Sequence, residues 1–292
     1  MPSPEALFSV YPGLPELKKA TYQPPLFEDS THQLWHCDTG AGPMMLKLCQ
    51  FQNLADSACW QVIERLFGLY LPDYLANMSD VRQLLLARGS LPIPEVHACS
   101  HQTEQWPGFM LAQFISGQRL TSERVTDKIV LQLAQQLASL HQYQTSHWGD
   151  LLNPGFEATH WSRQLIATLQ AHVTDQHWLE QGMKALAEFV PSTFCPIMLD
   201  NRWDQYLFDG ERITALVDID AFVTGPAELE LVLLEYQLNP SQATLFANTY
   251  QNIRPMPELN PCRLAYRLLL FTMNALGETE LERWMNAESY WR

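Results

Sequence analysis

The chain lacks the cysteine spacing that would hold zinc or staple a small fold. Its six cysteines, Cys37, Cys49, Cys59, Cys99, Cys195 and Cys262, are scattered without a CxxC pair, so neither a zinc site nor a disulfide framework is expected. Basic residues are scarce: 18 Lys and Arg stand against 32 Asp and Glu, a formal charge of -14. A field of that sign repels phosphate backbones and anionic membranes. Neither nucleic acid nor a membrane is therefore an expected partner, while a local basic cleft for a phosphorylated ligand stays open. No apolar run approaches the roughly 18 residues of a membrane span. The opening MPSPEALFSVYPGLPELKK has no basic stretch leading into an apolar core, so no secretory signal is legible and a reduced, cytoplasmic protein is expected. The G-x-S-x-G elbow and the G-x-G-x-x-G turn are absent too, which ranks hydrolase and oxidoreductase chemistry low.

What is present suffices for two lobes, since 47% of the 292 residues are hydrophobic and each lobe can bury a core. Residues 1–25 are Pro-rich without sustained periodicity, which predicts an irregular lead-in on the surface. HQLWHCD and GPMMLKLCQ are apolar runs separated by Asp38-Thr39-Gly40-Ala41-Gly42, the pattern of an antiparallel hairpin with Lys47 on its second strand. Helical spacing follows over 55–67 and 79–88, with Gly89 as a stop. An extended stretch begins at Pro92-Ile93-Pro94, and Gly108 to Ile115 reads as a buried strand ending at Ser116-Gly117.

The character then changes. Val125, Ile129, Leu133, Leu137 and Leu140 form one helical stripe over 121–141, with Thr121 or Ser122 as N-cap. Helices are predicted over 161–172, 176–190, 229–238, 242–251 and 262–276, interrupted by a β-rich stretch at 197–223. The expected fold class is α+β and two-lobed, with a small β-rich lobe over 1–116 and a larger, mainly helical lobe over 117–292.

The densest chemistry lies in Met198-Leu199-Asp200-Asn201-Arg202-Trp203-Asp204-Gln205-Tyr206-Leu207-Phe208, followed by Asp209-Gly210 and by Ile213 to Asp220. An acidic loop, an apolar strand, a tight turn and a second strand bring Asp200, Gln205 and Asp218 toward one end of a hairpin. Phosphoryl transfer needs one carboxylate at the acceptor hydroxyl, and a second carboxylate with an oxygen donor for magnesium.

This stretch resembles the H-G-D-x-x-x-x-N loop and I-D-[WF]-[ED] strand of the aminoglycoside phosphotransferase and choline kinase superfamily. Asp200 matches the catalytic Asp, Gln205 the metal-binding Asn and Asp218 the metal-binding Asp, with Asp220 on the acid that follows. Further matches run in order. Glu28-Asp29-Ser30-Thr31-His32 resembles the phosphate-covering turn, with Ser30 and Thr31 as phosphate contacts, and Met45-Leu46-Lys47-Leu48 the lysine strand. Met110 to Gly117 resembles the linker whose backbone, at Gln113 and Phe114, meets adenine, and LAQQLASLH the helix ending at His141, for which a structural role beside the catalytic loop is expected. Gly225 to Leu231 approximates the family's G-D-P-x-x-D-L-A helix entry, with one residue fewer and Glu in place of Asp.

The resemblance covers about residues 25–252 and implies a kinase-like fold and an ATP- and magnesium-dependent transfer to the hydroxyl of a small molecule. The acidic composition suits a cationic acceptor, with Trp148, Trp161 and Trp203 as candidate walls for it. Departures support an alternative, a catalytically impaired kinase-fold protein that binds a nucleotide or a partner. Met198 and Leu199 replace the family's His and Gly, Gln replaces Asn at 205, and no Glu stands where a helix should pair with Lys47, leaving Asp80 and Glu64 as candidates. His147-Trp148-Gly149-Asp150 mimics the loop but lacks the strand and the aspartate that should follow.

Overall fold

A computed structural model describes residues 3–27, 30–187 and 189–292. Two of its strands, β2 (His32–Thr39) and β3 (Gly42–Cys49), are the hairpin expected from sequence, following α1 (Pro4–Val10) and β1 (Leu17–Gln23). Their register runs from His32↔Cys49 to Thr39↔Gly42. Thr39 Oγ1 closes the turn by donating to the Gly42 carbonyl at 2.7 Å and accepting from the Ala41 N–H, and Gly42 takes φ +109°, where a side chain would be strained.

Next come α2 (Phe51–Asp56), α3 (Ala58–Phe67), the short α4 (Leu71–Tyr74) and α5 (Met78–Arg88), then β4 (Val96–Ser100) and β5 (Phe109–Gln113). The five strands form an antiparallel sheet in the order β1-β2-β3-β5-β4. Met44, Leu46 and Leu48 share one face of β3 and pack with Leu7, Cys37, Phe109 and Leu111 in a small core. Because side chains alternate along a strand, Lys47 leaves by the opposite face.

The lead-in is more ordered than its composition suggested. Ser3 caps α1 by accepting from the Ala6 N–H, Leu7 is buried beneath the sheet, and β1 pairs with β2 from Leu17↔Thr39 to Gln23↔Leu34. β1 is an edge strand held by its hydrogen-bond ladder, and a ladder leaves no periodic trace in a half-exposed sequence.

After β5 come β6 (Gln118–Arg119) and α6 (Asp127–His141), then β7 (His147–Asp150), β8 (Phe156–Glu157), α7 (Trp161–His172) and α8 (Gln176–Leu186). A compact strand region follows: β9 (Cys195–Met198), β10 (Tyr206–Phe208), β11 (Ile213–Leu216) and β12 (Phe222–Gly225). It makes two small sheets, β11-β10-β6 and β8-β7-β12-β9. The chain finishes with α9 (Ala227–Leu234), α10 (Pro240–Gln251), α11 (Arg263–Thr272) and α12 (Leu281–Met285).

The stripe on α6 is buried as expected, but its cap is Thr126, which accepts from the Ile129 N–H, and the preceding turn at Ser122–Arg124 is a separate 3-10 turn. Trp148 and Trp161 lie 1% and 0% exposed in edge contact with centroids 5.0 Å apart, and Trp203 is buried as well. These rings fill the core and none of them lines the cleft described below, so they are not the cation wall suggested by their residue type. Gln136, 1% exposed on α6, holds the loop after α5: its Oε1 accepts from the Ser90 and Leu91 N–H groups.

Candidate active site

A cleft of about 660 Å³ draws its walls from the β3–β5 side of the five-stranded sheet, the loop after β9 and the segment after β11. A smaller hollow of about 280 Å³ beside α2 and α3 has Glu64 as its one charged wall residue. The catalytic, nucleotide and metal candidates from the sequence, Ser30, Thr31, Lys47, Gln113, Phe114, Asp200, Gln205 and Asp218, all line the larger cleft. Glu28 and Asp29 lie outside the described residues.

Backbone pairing brings the carboxylates together. Tyr206 faces Leu216 at the open end of the β10–β11 hairpin, and one step further the Val217 N–H donates to the Gln205 carbonyl at 3.0 Å. Asp218 follows at once, so the residue five after Asp200 and the acid on the returning strand share one end of the hairpin. The far end is closed by Asp209, whose Oδ1 accepts from the Glu211 and Arg212 N–H groups. Asp200 sits in the turn after β9, where the Leu199 N–H donates to the Ala221 carbonyl at 3.2 Å. Gln205 Nε2 donates to Asp200 Oδ2 at 3.1 Å, while Asp200 Oδ1 is buried with no hydrogen-bond partner among the described residues.

Lys47 is 6% exposed, and its ammonium reaches Asp218 Oδ1 at 2.6 Å and Asp220 Oδ2 at 2.7 Å. Neither acidic candidate on the small-lobe helices pairs with it, since Glu64 and Asp80 are both exposed. Asp220 takes that place, although sequence gave it no role of its own. The alternation in Asp218-Ile219-Asp220 was the signal, because residues two apart in an extended segment share a side. His32 also faces this cluster, with Nε2 3.4 Å from Asp220 Oδ2 and Nδ1 3.3 Å from Thr31 Oγ1. Arg202 lines the same cleft and engages Asp204 through Nε at 3.1 Å and Nη2 at 3.2 Å.

Charge crowding dominates the electrostatics. Burial pushes the Asp200 carboxyl up to about 8, and Asp218 adds to it. Burial and Asp220 push Asp218 up to about 6 against the pull of Lys47. For Asp220 the attraction of Lys47 and the hydrogen bonds outweigh burial, and its carboxyl is held below the usual range. Lys47 is raised because its two carboxylates overcome burial. His32 is held neutral by burial and by Lys47.

At the linker, the Gln113 and Phe114 N–H groups donate to the Glu95 and Pro43 carbonyls at 2.7 and 3.2 Å. Both N–H groups are therefore engaged within the protein. In the phosphate-covering turn, Ser30 Oγ donates to the His32 carbonyl at 3.1 Å. His141 occupies the structural place expected of it, with Nε2 2.8 Å from Glu230 Oε2 and Nδ1 2.9 Å from the Tyr250 hydroxyl. His147–Asp150 forms β7, and Asp150 Oδ1 accepts from the Leu152 and Asn153 N–H groups as an ordinary turn residue.

The phosphotransferase enzyme family matches residues 25–259. The chain belongs to this family. A sequence search of curated proteins finds no match to this chain. Solved structures share the fold at low identity. A macrolide 2'-phosphotransferase from Brachybacterium faecium aligns with TM-score 0.60 at 13% identity, covering 94% of each chain. A protein assigned as a fructosamine-3-kinase from Haemophilus somnus aligns with TM-score 0.60 at 14% identity, over 97% of this chain and 95% of that one. The GDP and kanamycin complex of APH(2")-IIIa aligns with TM-score 0.58 at 13% identity, over 93% and 88%. The phosphotransferase fold is thus the kinase-like one, with a small β-rich lobe and a larger helical lobe.

The cleft's donor set fits magnesium held with a nucleotide. No group of three or more His, Cys, Asp or Glu side chains is arranged to hold a metal among the described residues. Magnesium in phosphoryl-transfer sites is instead bound by one or two protein oxygens plus substrate phosphates. Asp218 and the Gln205 amide oxygen supply two such donors. The raised carboxyls of Asp200 and Asp218 mark an excess of buried negative charge that a divalent cation would relieve.

Proposed function

We propose that this protein is an ATP- and magnesium-dependent phosphotransferase acting on the hydroxyl of a small molecule. The observation that carries the reading is the Asp200 carboxylate: Gln205 holds one oxygen, and the other is buried in the cleft without a partner. An acceptor O–H would complete that oxygen. Ionised once the charge crowding from Asp218 is relieved, Asp200 orients the hydroxyl and takes its proton as the new bond to the γ-phosphorus forms and ADP leaves. Asp218 and Gln205 hold the magnesium, which supplies neutralisation of charge on the phosphates. Lys47 binds the phosphates, Ser30 and Thr31 line the turn above them, and Gln113 and Phe114 border the adenine.

The lobe boundary falls at Ser116-Gly117 in this reading, with nucleotide bound between 1–116 and 117–292. The acceptor is a small molecule, and the net charge of -14 favours a cationic one in the cytoplasm over nucleic acid or an anionic membrane. Among the described residues no helix is long and apolar enough to cross a membrane.

One observation favours a second reading, a nucleotide- or partner-binding protein impaired in catalysis. Lys47 at 2.6 Å from Asp218 occupies a carboxylate that the metal needs. The two readings separate on incubation of the protein with ATP, magnesium and a panel of aminoglycosides, amino alcohols and ketoamine sugars, followed by mass analysis. A phosphorylated acceptor that disappears with Asp200→Asn supports the kinase. Bound nucleotide with no phosphorylated product supports the impaired form, and a product unaffected by Asp200→Asn removes Asp200 from its role.

A further inference from the structure

Asp200 is held by a single side-chain hydrogen bond, from Gln205. Its direction must therefore come from the backbone on either side, and both sides are anchored to one buried carboxylate. Glu230 on α9 is 1% exposed. Its Oε1 accepts from the Met198 N–H at 3.1 Å, two residues before Asp200, and from Asn201 Nδ2 at 2.8 Å, one residue after. A carboxylate only accepts, so His141 Nε2 carries the hydrogen that meets Glu230 Oε2.

Asn201 is itself 1% exposed and hydrogen-bonded at both ends of its amide. Beyond its bond to Glu230, its Oδ1 accepts from the Tyr206 hydroxyl at 2.8 Å and its carbonyl from Gln237 Nε2 at 2.6 Å. A buried amide is tolerated only when such partners are present, and an apolar residue of similar volume would pack there without them. The amide thus links the loop before β10, the first residue of β10 and α9 at a point adjoining the catalytic carboxylate.

We infer that Asn201 is a positioning residue for Asp200, fixing the direction of its partnerless oxygen where Met198 and Leu199 offer no polar side chain before it. The inference rests on the kinase reading of the same cleft. Asn201 touches neither the nucleotide nor the acceptor, so its loss should act on turnover and spare nucleotide binding.

The test uses the full chain as Asn201→Leu, which keeps the volume, as Tyr206→Phe, which removes one donor and nothing else, and as the double variant. Two measurements are made: the stoichiometry and Kd of magnesium-ATP by titration, and kcat and KM of magnesium-dependent phosphate release to water. Asn201→Leu should keep one nucleotide per chain and a KM within about twofold, with kcat down about tenfold or more, the size of effect expected when a reacting group is misaligned. Tyr206→Phe should move kcat the same way by less, and the double variant should match Asn201→Leu alone, because both remove one brace.

If the wild type binds ATP without hydrolysing it, the comparison is made on ADP with magnesium and aluminium fluoride, which Asn201→Leu should retain about tenfold more weakly. Unchanged kcat, or unchanged retention of that mimic, overturns the inference and leaves the kinase reading standing. Loss of stoichiometry, KM and kcat together in both single variants makes Asn201 a residue of the fold only. A wild type that binds no nucleotide overturns the kinase reading, and this inference with it.

Discussion

Lys47 Nζ lies 2.7 Å from Asp220 Oδ2, and through that contact the small-lobe sheet is tied to the segment that carries Asp218. Asp220 is 3% exposed, so the pair is desolvated. Removing the cation from such a group costs far more than removing a surface pair. Lys47→Met should lower stability by about 3–5 kcal/mol near neutral pH, because the buried Asp220 and the half-buried Asp218 lose their counter-charge. The loss should shrink in acid, where the freed carboxylates protonate. The same variant should weaken ATP binding about tenfold or more while leaving adenosine binding unchanged, since the ammonium meets only the phosphates. Urea unfolding across pH and paired titrations with ATP and adenosine check both parts.

Asp200 gives a pH dependence of opposite sense to the usual salt-bridged carboxylate. Its carboxyl is raised from 3.8 to about 8. Between those values the native protein keeps a proton that the unfolded chain has released, so this group's contribution to stability falls as pH rises through that window. Asp200→Asn carries no such proton. It should therefore melt higher than the wild type, by little near pH 5 and by more toward pH 8, in thermal scans without nucleotide.

Gln136 makes a prediction about the joint between α6 and the loop after α5. Gln136→Ala would leave the Ser90 and Leu91 N–H groups without their acceptor. The expected cost is about 1–3 kcal/mol for the buried Leu91 group, since the exposed Ser90 can meet water, and it is read as a lower urea midpoint with the slope unchanged.

Much of this site could be read from the chain because its parts are local. Asp200, Gln205 and Asp218 fall within one loop and hairpin, and the pairing of Val217 with Gln205 completes what the turn at Asp209-Gly210 begins. Lys47 was placed by the alternation of its own strand. Asp220 as the partner of Lys47 was not legible, because the contact joins residues 173 apart in sequence and the expected helix acid supplied a competing idea. The order of the lead-in was hidden for a similar reason: β1 is stabilised by pairing with β2, and Leu7 by packing under a sheet that forms later in the chain. The tryptophans were misleading as cage candidates because a large ring that buries well serves a core at least as readily as a binding wall.

The central claim is that Asp218 and Gln205 hold magnesium on a bound nucleotide, and isothermal titration of the protein with ATP, with and without magnesium, tests it most directly. The account predicts that magnesium tightens ATP binding to the wild type, and that Asp218→Ala and Gln205→Ala each abolish this gain while still binding ATP alone. Equal affinity with and without the metal in the wild type, or a gain that survives in Asp218→Ala, would contradict it.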